Sequence, residues 1–290
     1  MADLQQEVWI NQLKENFYPD STFLKHVTDL SEHVNNHKLN LTEVGVDPKV
    51  LINNKTYPIA VHQRVDKPLA IELNLFETEN TLIRRPEDIE YSESQLESVI
   101  KGHRESLRTT TAKKGAHAIA PDSDGEFTPV IRTSGEVKDG FKWITPDDIL
   151  DLKVRYDLAD IPLDQRYLVL NPLHVVQLIK QDRKTFKDIT DLTSGKVFNF
   201  AGFNILEFSK TPIYNSTTGS KKPFGAAPAA NDTISSFAFH KSEVMKAEGE
   251  YYMHEQPSAE ERGVIIGFDK RFVCMPFRNK GIGSIITHKE

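Results

Sequence analysis

Residues 93–118 read ESQLESVIKGHRESLRTTTAKKGAHA, and they form the longest helical pattern in the chain. The apolar positions recur at intervals of three and four residues, which places them on one face of a helix. These positions are Leu96, Val99, Ile100, His103 and Leu107. A long helix with one apolar face packs that face on a sheet and leaves the other for solvent or a neighbouring molecule.

The segment before this helix alternates apolar and polar residues, a pattern that is typical of strands. Ile59, Val61 and Val65 alternate on one side of Asp66-Lys67-Pro68. On the other side the alternating residues are Leu69, Ile71, Leu73 and Leu75. Two such runs around a proline turn predict a β-hairpin whose turn lies at residues 66–68.

The first residues of the chain predict an amphipathic helix that stops at Pro19-Asp20. Its apolar positions are Leu4, Val8, Trp9, Leu13 and Phe17. The residues that follow are mostly polar, so this part of the chain has little apolar matter for a core of its own. We expect residues 1–55 to form an arm.

Two shorter helices have clear start signals after residue 143. Thr145-Pro146-Asp147-Asp148 supplies a cap, a first-position proline and acids in the first turn. Asn171-Pro172 supplies the same cap and first-position proline for a helix that reaches Gln181. Residues 167–170, between the two helices, predict a short buried strand. The predicted inward residues are Ile149, Leu152 and Tyr156 in the first helix and Val175, Val176 and Ile179 in the second.

The C-terminal part of the chain is rich in β-branched and aromatic residues that are bounded by Gly, Pro or Asn. The predicted strands cover residues 198–208, 234–239, 249–254 and 264–277, and residues 215–231 predict a loop. Helices and strands do not alternate strictly along the chain, so the sequence predicts the α+β class.

Composition and charge disfavour several classes of protein. The net charge is −6, from 36 basic and 42 acidic residues, whereas proteins that grip nucleic acid over their surface usually carry a basic excess. A single cysteine, Cys274, excludes an internal disulfide framework. The chain shows neither a secretory signal nor an apolar run long enough for a bilayer, so we expect a cytosolic site of synthesis and no membrane partner.

The sequence contains no convincing catalytic constellation. His33 and His37 have the spacing of helical metal ligands, but the glutamate of a metalloprotease is missing between them. Cys274 lies in an apolar run, which favours a buried thiol over a nucleophile. The acids Asp147, Asp148 and Asp151 stand near a helix start, where negative charges interact favourably with the positive end of the helix dipole. We therefore expect no enzyme activity, no catalytic residue, no cofactor and no metal site.

One side of the long helix is basic, because Lys101, Arg104 and Arg108 lie about a third of a turn from its apolar stripe. This side could contact an acidic partner, such as a neighbouring subunit or the phosphates of DNA. It could equally be a solvated face that Glu97 and Glu105 partly neutralise. The sequence leaves both interpretations open.

Several segments, in this order, are similar to the major capsid proteins of tailed bacteriophages. They are FETENTLIRRPEDIEY with HRESLRTTTAKKGAHAIAP, TPDDILDLKVRYDLADIPLDQRYLVLNPLHVVQLIKQD, SGKVFNFAGFNILEFSKTPIY, and FHKSEVMKAEGEYYMHEQPSAEERGVIIGFDKRFVCMPFRNKGIGSI. The resemblance covers roughly residues 57–290. It implies a Hong Kong 97-type fold with an N-terminal arm, an extended hairpin loop, a long spine helix, a peripheral domain and an axial domain.

The resemblance assigns these parts to ranges of the sequence. The implied ranges are an arm at 1–55, an extended hairpin loop at 56–91, the spine helix and peripheral domain at 92–143, an axial domain at 144–245, and return strands of the peripheral domain at 246–290. Some members of the fold begin with a long helical scaffolding segment. Since only about 50 residues precede the hairpin here, we expect a separate scaffolding protein or none.

The resemblance implies a structural subunit that assembles with itself into hexamers and pentamers of an icosahedral shell around double-stranded DNA. It further implies a virion location, assembly in the cytoplasm of a bacterial host, a portal protein, possible decoration proteins, and non-specific contact with packaged DNA. The residues expected to form assembly interfaces are Leu4, Trp9, Leu13, Phe17, Arg84, Arg85, Lys101, Arg104 and Arg108.

Two rival functions remain open. An encapsulin-type bacterial nanocompartment uses the same fold at a similar chain length. A hydrolase that uses His33 and His37, or a surface pair of carboxylates, belongs to a different class. Particle size and cargo distinguish the first rival from a phage shell, and a metal-bearing monomer would favour the second.

Overall fold

The computed structural model describes residues 23–43, 55, 58, 67–84, 89–181, 190–191, 196–197 and 199–289. Its α-helices are α1 (Ile89–Ile119), α2 (Pro146–Leu158) and α3 (Pro172–Gln181). These are the three helices predicted after residue 90. The amphipathic helix predicted near the N-terminus lies outside the described residues.

The strands of the described ranges are numbered in chain order. They are β1 (Thr28–Asp29), β2 (Val34–Asn35), β3 (Lys38–Glu43), β4 (Lys67–Glu72), β5 (Asn74–Glu77), β6 (Thr81–Arg84), β7 (Val130–Arg132), β8 (Val137–Lys138), β9 (Phe141–Lys142), β10 (Arg166–Leu170), β11 (Thr190–Asp191), β12 (Lys196–Val197), β13 (Asn199–Phe200), β14 (Phe203–Glu207), β15 (Ile213–Asn215), β16 (Asp232–His240), β17 (Val244–Ser258), β18 (Gly263–Pro276), β19 (Ile282–Ile286) and β20 (His288–Lys289).

The first large sheet is built on the long antiparallel pair β17 and β18, with the order β1-β17-β18-β5. Strand β6 also pairs with β18, closer to the turn of the hairpin. Helix α1 lies on this sheet, where Ile100 and Leu107 pack in one cluster with Ile266 and Phe268. The predicted long helix with one face on a sheet is therefore confirmed.

Helix α1 begins at Ile89, earlier than the predicted residue 93. Its first turns therefore include Glu90 and Glu93. At about 1.5 Å per residue, its 31 residues span roughly 46 Å.

The second large sheet has the order β13-β14-β10-β16-β19-β7, and β15 pairs with β16. Helices α2 and α3 share a core cluster with this sheet, since Leu152, Leu178 and Leu168 belong to the same buried group. All five residues of β19 are buried, as is usual for a strand with partners on both edges. The predicted return segment 246–290 is therefore divided, because β17 and β18 lie in the first sheet and β19 in the second.

The strand that contains Pro68 pairs with a strand of the predicted arm, whereas its predicted partner at residues 59–65 lies outside the described residues. Strand β4 pairs antiparallel with β3, in a register that puts Pro68 opposite Thr42 and Lys67 opposite Glu43. The predicted turn at residues 66–68 is therefore wrong. Among the described residues β4 is the edge strand of the small sheet β2-β3-β4, a position that tolerates proline because the missing N–H can lie on the side away from β3.

The described part of the predicted arm is built into the core. Phe23 is fully buried, and its ring centroid lies 5.2 Å from those of Phe208 and Phe237. Val27 is also buried, and β1 pairs with β17 through Thr28 and Met245. Residues 23–29 therefore contribute to a core that other segments of the chain form, and the assignment of residues 1–55 to an arm stays a prediction.

Candidate assembly surfaces

The expected interface residues fall into two groups. Leu4, Trp9, Leu13, Phe17 and Arg85 lie outside the described residues. Arg84 ends strand β6, opposite Gly263 near the turn between β17 and β18. Lys101, Arg104 and Arg108 lie on α1, at positions that helical periodicity places on one side.

The basic side of α1 is partly neutralised within the helix. Arg108 Nη1 lies 3.2 Å from Glu105 Oε2, in a pair three residues apart. Lys101 is exposed, whereas Arg104 is half-buried. Exposed pairs of this kind contribute little to stability, commonly below about 1 kcal/mol. The geometry therefore leaves Lys101 as the most accessible charge of the three.

Helix α2 is fixed at its start by a capping box. The Asp148 amide donates to Thr145 Oγ1 at 3.3 Å, and the Thr145 amide donates to Asp148 Oδ2 at 2.7 Å. The Ser134 amide donates to the same carboxylate at 3.1 Å. Asp148 is therefore a structural residue, as its position near the helix start indicated. On the inner face Ile149, Leu152 and Tyr156 are fully buried, as predicted.

The outer face of α2 also carries three apolar residues, which were not among the predicted interface residues. Leu150 is 42% exposed, Val154 53% and Leu158 77%. These residues recur every four positions, so they form a single stripe along the helix. We call them the α2 stripe. Their spacing indicates a stripe, but the helix was predicted only from its buried residues Ile149, Leu152 and Tyr156.

Helix α3 shows a related arrangement. Val175 is buried as predicted, but Val176 is 45% exposed, so its predicted inward position is wrong. The inner face is formed instead by His174 and Leu178, which are both fully buried. Val176 lies about 100° further around the helix than Val175 and points away from the sheet. On the outer side it is accompanied by Leu173, which is 59% exposed.

The hydrogen bonds of His174 explain why this polar residue can occupy the inner face of α3. Its Nδ1 lies 2.7 Å from Ser236 Oγ and its Nε2 lies 2.8 Å from Thr287 Oγ1. Both ring nitrogens therefore have hydroxyl partners. Burial lowers the pKa of His174 to about 4, which keeps the ring neutral.

The outer residues of α3 line a shallow groove of about 350 Å³. We call it the α3 groove. Its lining residues are Lys138, Asp139, Phe141, Trp143, Leu173, Val176, Gln177, Lys180, Asp232, Thr233, Ile234 and Thr287. The Lys138 and Lys180 ammonium groups lie 4.3 and 5.7 Å from the Trp143 ring centroid. The groove is thus an apolar floor with lysines at its edge.

A buried ionic cluster lies between the first sheet and the segment that precedes β2. Lys270 Nζ lies 2.8 Å from Glu248 Oε2, and Lys246 Nζ lies 3.1 Å from Asp29 Oδ2. Burial lowers the pKa of Lys270 to about 8, and the Glu248 carboxylate opposes that shift. Since Asp29 belongs to β1, the cluster ties the N-terminal segment to the hairpin β17–β18.

The structure describes the residues that were considered as catalytic candidates, including His33, His37 and Cys274. His33 ends a short 3₁₀ turn, and His37 lies in a turn with φ of 65°, so the two do not share a helix face. Within the described ranges, no group of three His, Cys, Asp or Glu side chains is arranged to hold a metal ion. Cys274 is buried, and burial raises the pKa of its thiol to about 12. No helix in the described part of the chain could cross a membrane.

Comparisons with known proteins identify the fold. No protein-family model and no curated protein matches the chain. The capsid of Cyanophage P-SCSP1u matches with a TM-score of 0.64 at 15% identity, covering 93% of this chain and 89% of that chain. The capsid of Ralstonia phage GP4 has a TM-score of 0.62 at 8% identity, with 94% and 92% covered.

A virus-like particle from Pyrococcus furiosus also matches, with a TM-score of 0.59 at 12% identity, covering 97% of this chain and 99% of that chain. All three matches extend over nearly the whole length of both chains. They agree with the mixture of helices and strands in the α+β class that the sequence predicted. The chain therefore has the fold of the major capsid proteins of tailed bacteriophages.

Proposed function

We propose that this protein is the major capsid protein of a tailed phage, which assembles as hexamers and pentamers into an icosahedral shell around the double-stranded DNA genome. The observation that carries the proposal is the end-to-end match to a phage capsid, which covers 93% of this chain and 89% of the other. A shared fold does not by itself fix a function. A match without large unmatched domains nevertheless supports a shared structural role over an added catalytic one.

The distribution of apolar residues supports self-assembly. Four apolar side chains are each more than half exposed, namely Val154, Leu158, Leu163 and Leu173. Single exposed apolar side chains are common, but a continuous stripe on a helix marks an interaction surface. In a shell these residues are covered by identical neighbours, which removes the cost of exposing them to water.

The interface residues that the sequence indicated belong to the same proposal. Leu4, Trp9, Leu13 and Phe17 are covered by another subunit or by the region of α1. Arg84, Arg85, Lys101, Arg104 and Arg108 contact acidic groups of neighbouring subunits. The exposure of Lys101 supports this assignment for the middle of α1.

The proposed partners follow from the same role. They are further copies of this chain, a portal protein, a separate scaffolding protein and, on the finished shell, decoration proteins. The net charge of −6 supports contact with packaged DNA only at local basic patches, through phosphates and without sequence preference. The mature protein then resides in the virion, after assembly in the cytoplasm of the bacterial host.

A nanocompartment shell is the second candidate. The match to the virus-like particle from Pyrococcus furiosus favours it, because 97% of this chain and 99% of that chain are covered. The two functions predict different contents. A phage shell holds a genome, whereas a nanocompartment holds protein cargo and closes at a small, uniform diameter.

Expression of the full chain, followed by sedimentation and negative-stain electron microscopy, tests the proposal. We expect megadalton particles with a hollow interior, alone or with a co-expressed scaffolding protein. Particles purified from a natural source should contain nuclease-protected double-stranded DNA. Small uniform particles with protein cargo would favour the nanocompartment, and a metal-bearing monomer would contradict both shell functions.

A further inference from the structure

We propose that the α2 stripe of one copy docks in the α3 groove of a second copy, so that this single heterologous contact closes subunits into rings. The inference rests on the proposed shell function and names the surfaces that build its rings. The α2 stripe consists of Leu150, Val154 and Leu158, and the apolar floor of the α3 groove is formed by Leu173, Val176 and Trp143.

The two surfaces match in length. From Leu150 to Leu158 the stripe rises by eight residue steps, or about 12 Å at 1.5 Å per residue. From Leu173 to Lys180 the outer face of α3 covers about 10 Å by the same rise. Two helices that pack side by side approach to roughly 8–10 Å between axes, which brings such stripes into contact.

The charges beside the two surfaces are complementary. Asp147 and Asp151 are exposed, and helical periodicity places them beside the α2 stripe. At the groove, Lys180 is exposed and lies over the Trp143 ring, while Lys138 lies 3.5 Å from the exposed Glu136. Asp139 is also among the lining residues. Lys180 is therefore the cation that we expect to face Asp147 and Asp151 of the second copy.

The same charges disfavour a symmetric contact. If two α2 stripes packed on each other, Asp147 and Asp151 of one copy would approach the same acids of the other. Like charges across an interface reduce affinity and prevent that arrangement. Two α3 grooves would bring Lys180 residues together in the same way.

The position of the surfaces on one subunit supports ring closure. Helices α2 and α3 share a core cluster with the second sheet, with Leu152 and Leu178 both at 0% exposure. The two helices therefore belong to one rigid unit, and their outer faces carry different residues, Leu150, Val154 and Leu158 on α2 and Leu173 and Val176 on α3. A contact between two different surfaces repeats from copy to copy and closes into a ring when the rotation between copies permits.

Cysteine cross-linking tests the contact directly. One tagged copy carries Val154→Cys and a differently tagged copy carries Val176→Cys, and the two are co-expressed. Mild oxidation is expected to give disulfide-linked dimers that contain both tags. Expression of either variant alone should give no cross-linked dimer, and the buried Cys274 should contribute none. Val154→Cys with Leu75→Cys is a matched control, since Leu75 is 44% exposed but lies on the first sheet.

Charge reversal supplies a second measurement. Asp151→Lys or Lys180→Glu alone is expected to lower the yield of assembled particles about tenfold, because each places like charges together. The combined Asp151→Lys and Lys180→Glu variant should recover most of that yield. Lys210→Glu, at an exposed lysine outside the groove, is the control and should leave the yield unchanged.

The outcomes separate this inference from the proposed function. Normal particles without mixed cross-links, and without an effect of charge reversal, would overturn the inference and leave the shell function standing. Mixed cross-links in small rings that never become shells would support the contact and contradict the shell. Dimers from Val154→Cys alone would show a symmetric contact and overturn the proposal. The absence of both particles and cross-links would contradict the contact and the shell function together.

Discussion

The Lys270 ammonium group lies 2.8 Å from the Glu248 carboxylate, and the Lys270 side chain is fully buried. Breaking a buried pair by removing one partner is costly, because the other charge stays in a poorly solvated site. We expect Glu248→Gln to lower the free energy of unfolding by roughly 3 kcal/mol. Urea denaturation of dissociated subunits measures this loss.

The matched controls are Lys270→Met and the double variant with Glu248→Gln. If the two residues act as a pair, the double variant should lose clearly less than the sum of the single losses. Additive losses would show that the Glu248 carboxylate stabilises the fold through other contacts.

The buried ring of His174 predicts a dependence of stability on pH. Its pKa is lowered from the usual 6.5 to about 4 in the folded protein, so the unfolded chain binds more protons between these values. Stability from this residue is therefore fully present above pH 6.5 and is lost as the pH falls towards 4. The loss amounts to about 3 kcal/mol for a shift of this size.

Unfolding measured between pH 7 and pH 4.5 tests this prediction. His174→Asn should flatten the curve over that window, although it also lowers stability at neutral pH. His33→Asn, at an exposed histidine, should leave the slope unchanged. An unchanged slope in His174→Asn would mean that other groups cause the acid sensitivity.

The thiol of Cys274 should be inert in the folded protein. It is buried, and burial raises its pKa to about 12, so the reactive thiolate is scarce at pH 8. We expect no labelling by a thiol reagent in native protein and complete labelling after denaturation. Ser220→Cys, at an exposed loop position, provides the positive control. Rapid native labelling of the unaltered chain would contradict the buried placement.

Deletion of residues 1–20 should abolish shell formation while leaving soluble subunits. The deletion removes Leu4, Trp9, Leu13 and Phe17, which we propose are covered in the assembly. It stops short of Phe23, whose ring is part of the core, so folding should be retained. Circular dichroism checks folding, and electron microscopy checks assembly. Normal particles from the truncated chain would rule out an essential role for this segment.

Local sequence patterns were sufficient where one element determines its own structure. The stripe of α1 at Ile100, His103 and Leu107 is buried as its spacing predicts. The capping residues Thr145 and Asp148 begin α2 where the sequence places them. Both features depend on contacts within a few residues, which periodicity and capping rules describe well.

Non-local pairing was the main source of error. The partner of Pro68 is Thr42, on a strand that local alternation does not connect to it. The buried pair of Lys270 and Glu248 was not predicted at all, because charged residues in a strand resemble exposed positions. Register between distant strands is set by tertiary packing, which a single sequence does not display.

The candidate surfaces were foreseen only in part. Lys101, Arg104 and Arg108 lie on α1, as their helical spacing predicted, and their role in an interface stays a prediction. The α2 stripe was missed because its apolar residues are interspersed with charged residues such as Asp147 and Asp151, so they did not stand out from a solvent-exposed face. A helix that is apolar on two sides is a signal in itself, since one of them must meet something beyond its own sheet.

The burial of Phe23 has a consequence for the order of events during synthesis. Its ring packs against Phe237, and the neighbouring β1 pairs with β17 at Met245. The contacts of residues 23–29 therefore form only after β16 and the start of β17 have been synthesised. Contacts between residues so far apart in sequence slow folding, because a long loop must close before they form. A nascent chain that has not yet been made as far as Met245 therefore lacks the partners that hold residues 23–29 in place.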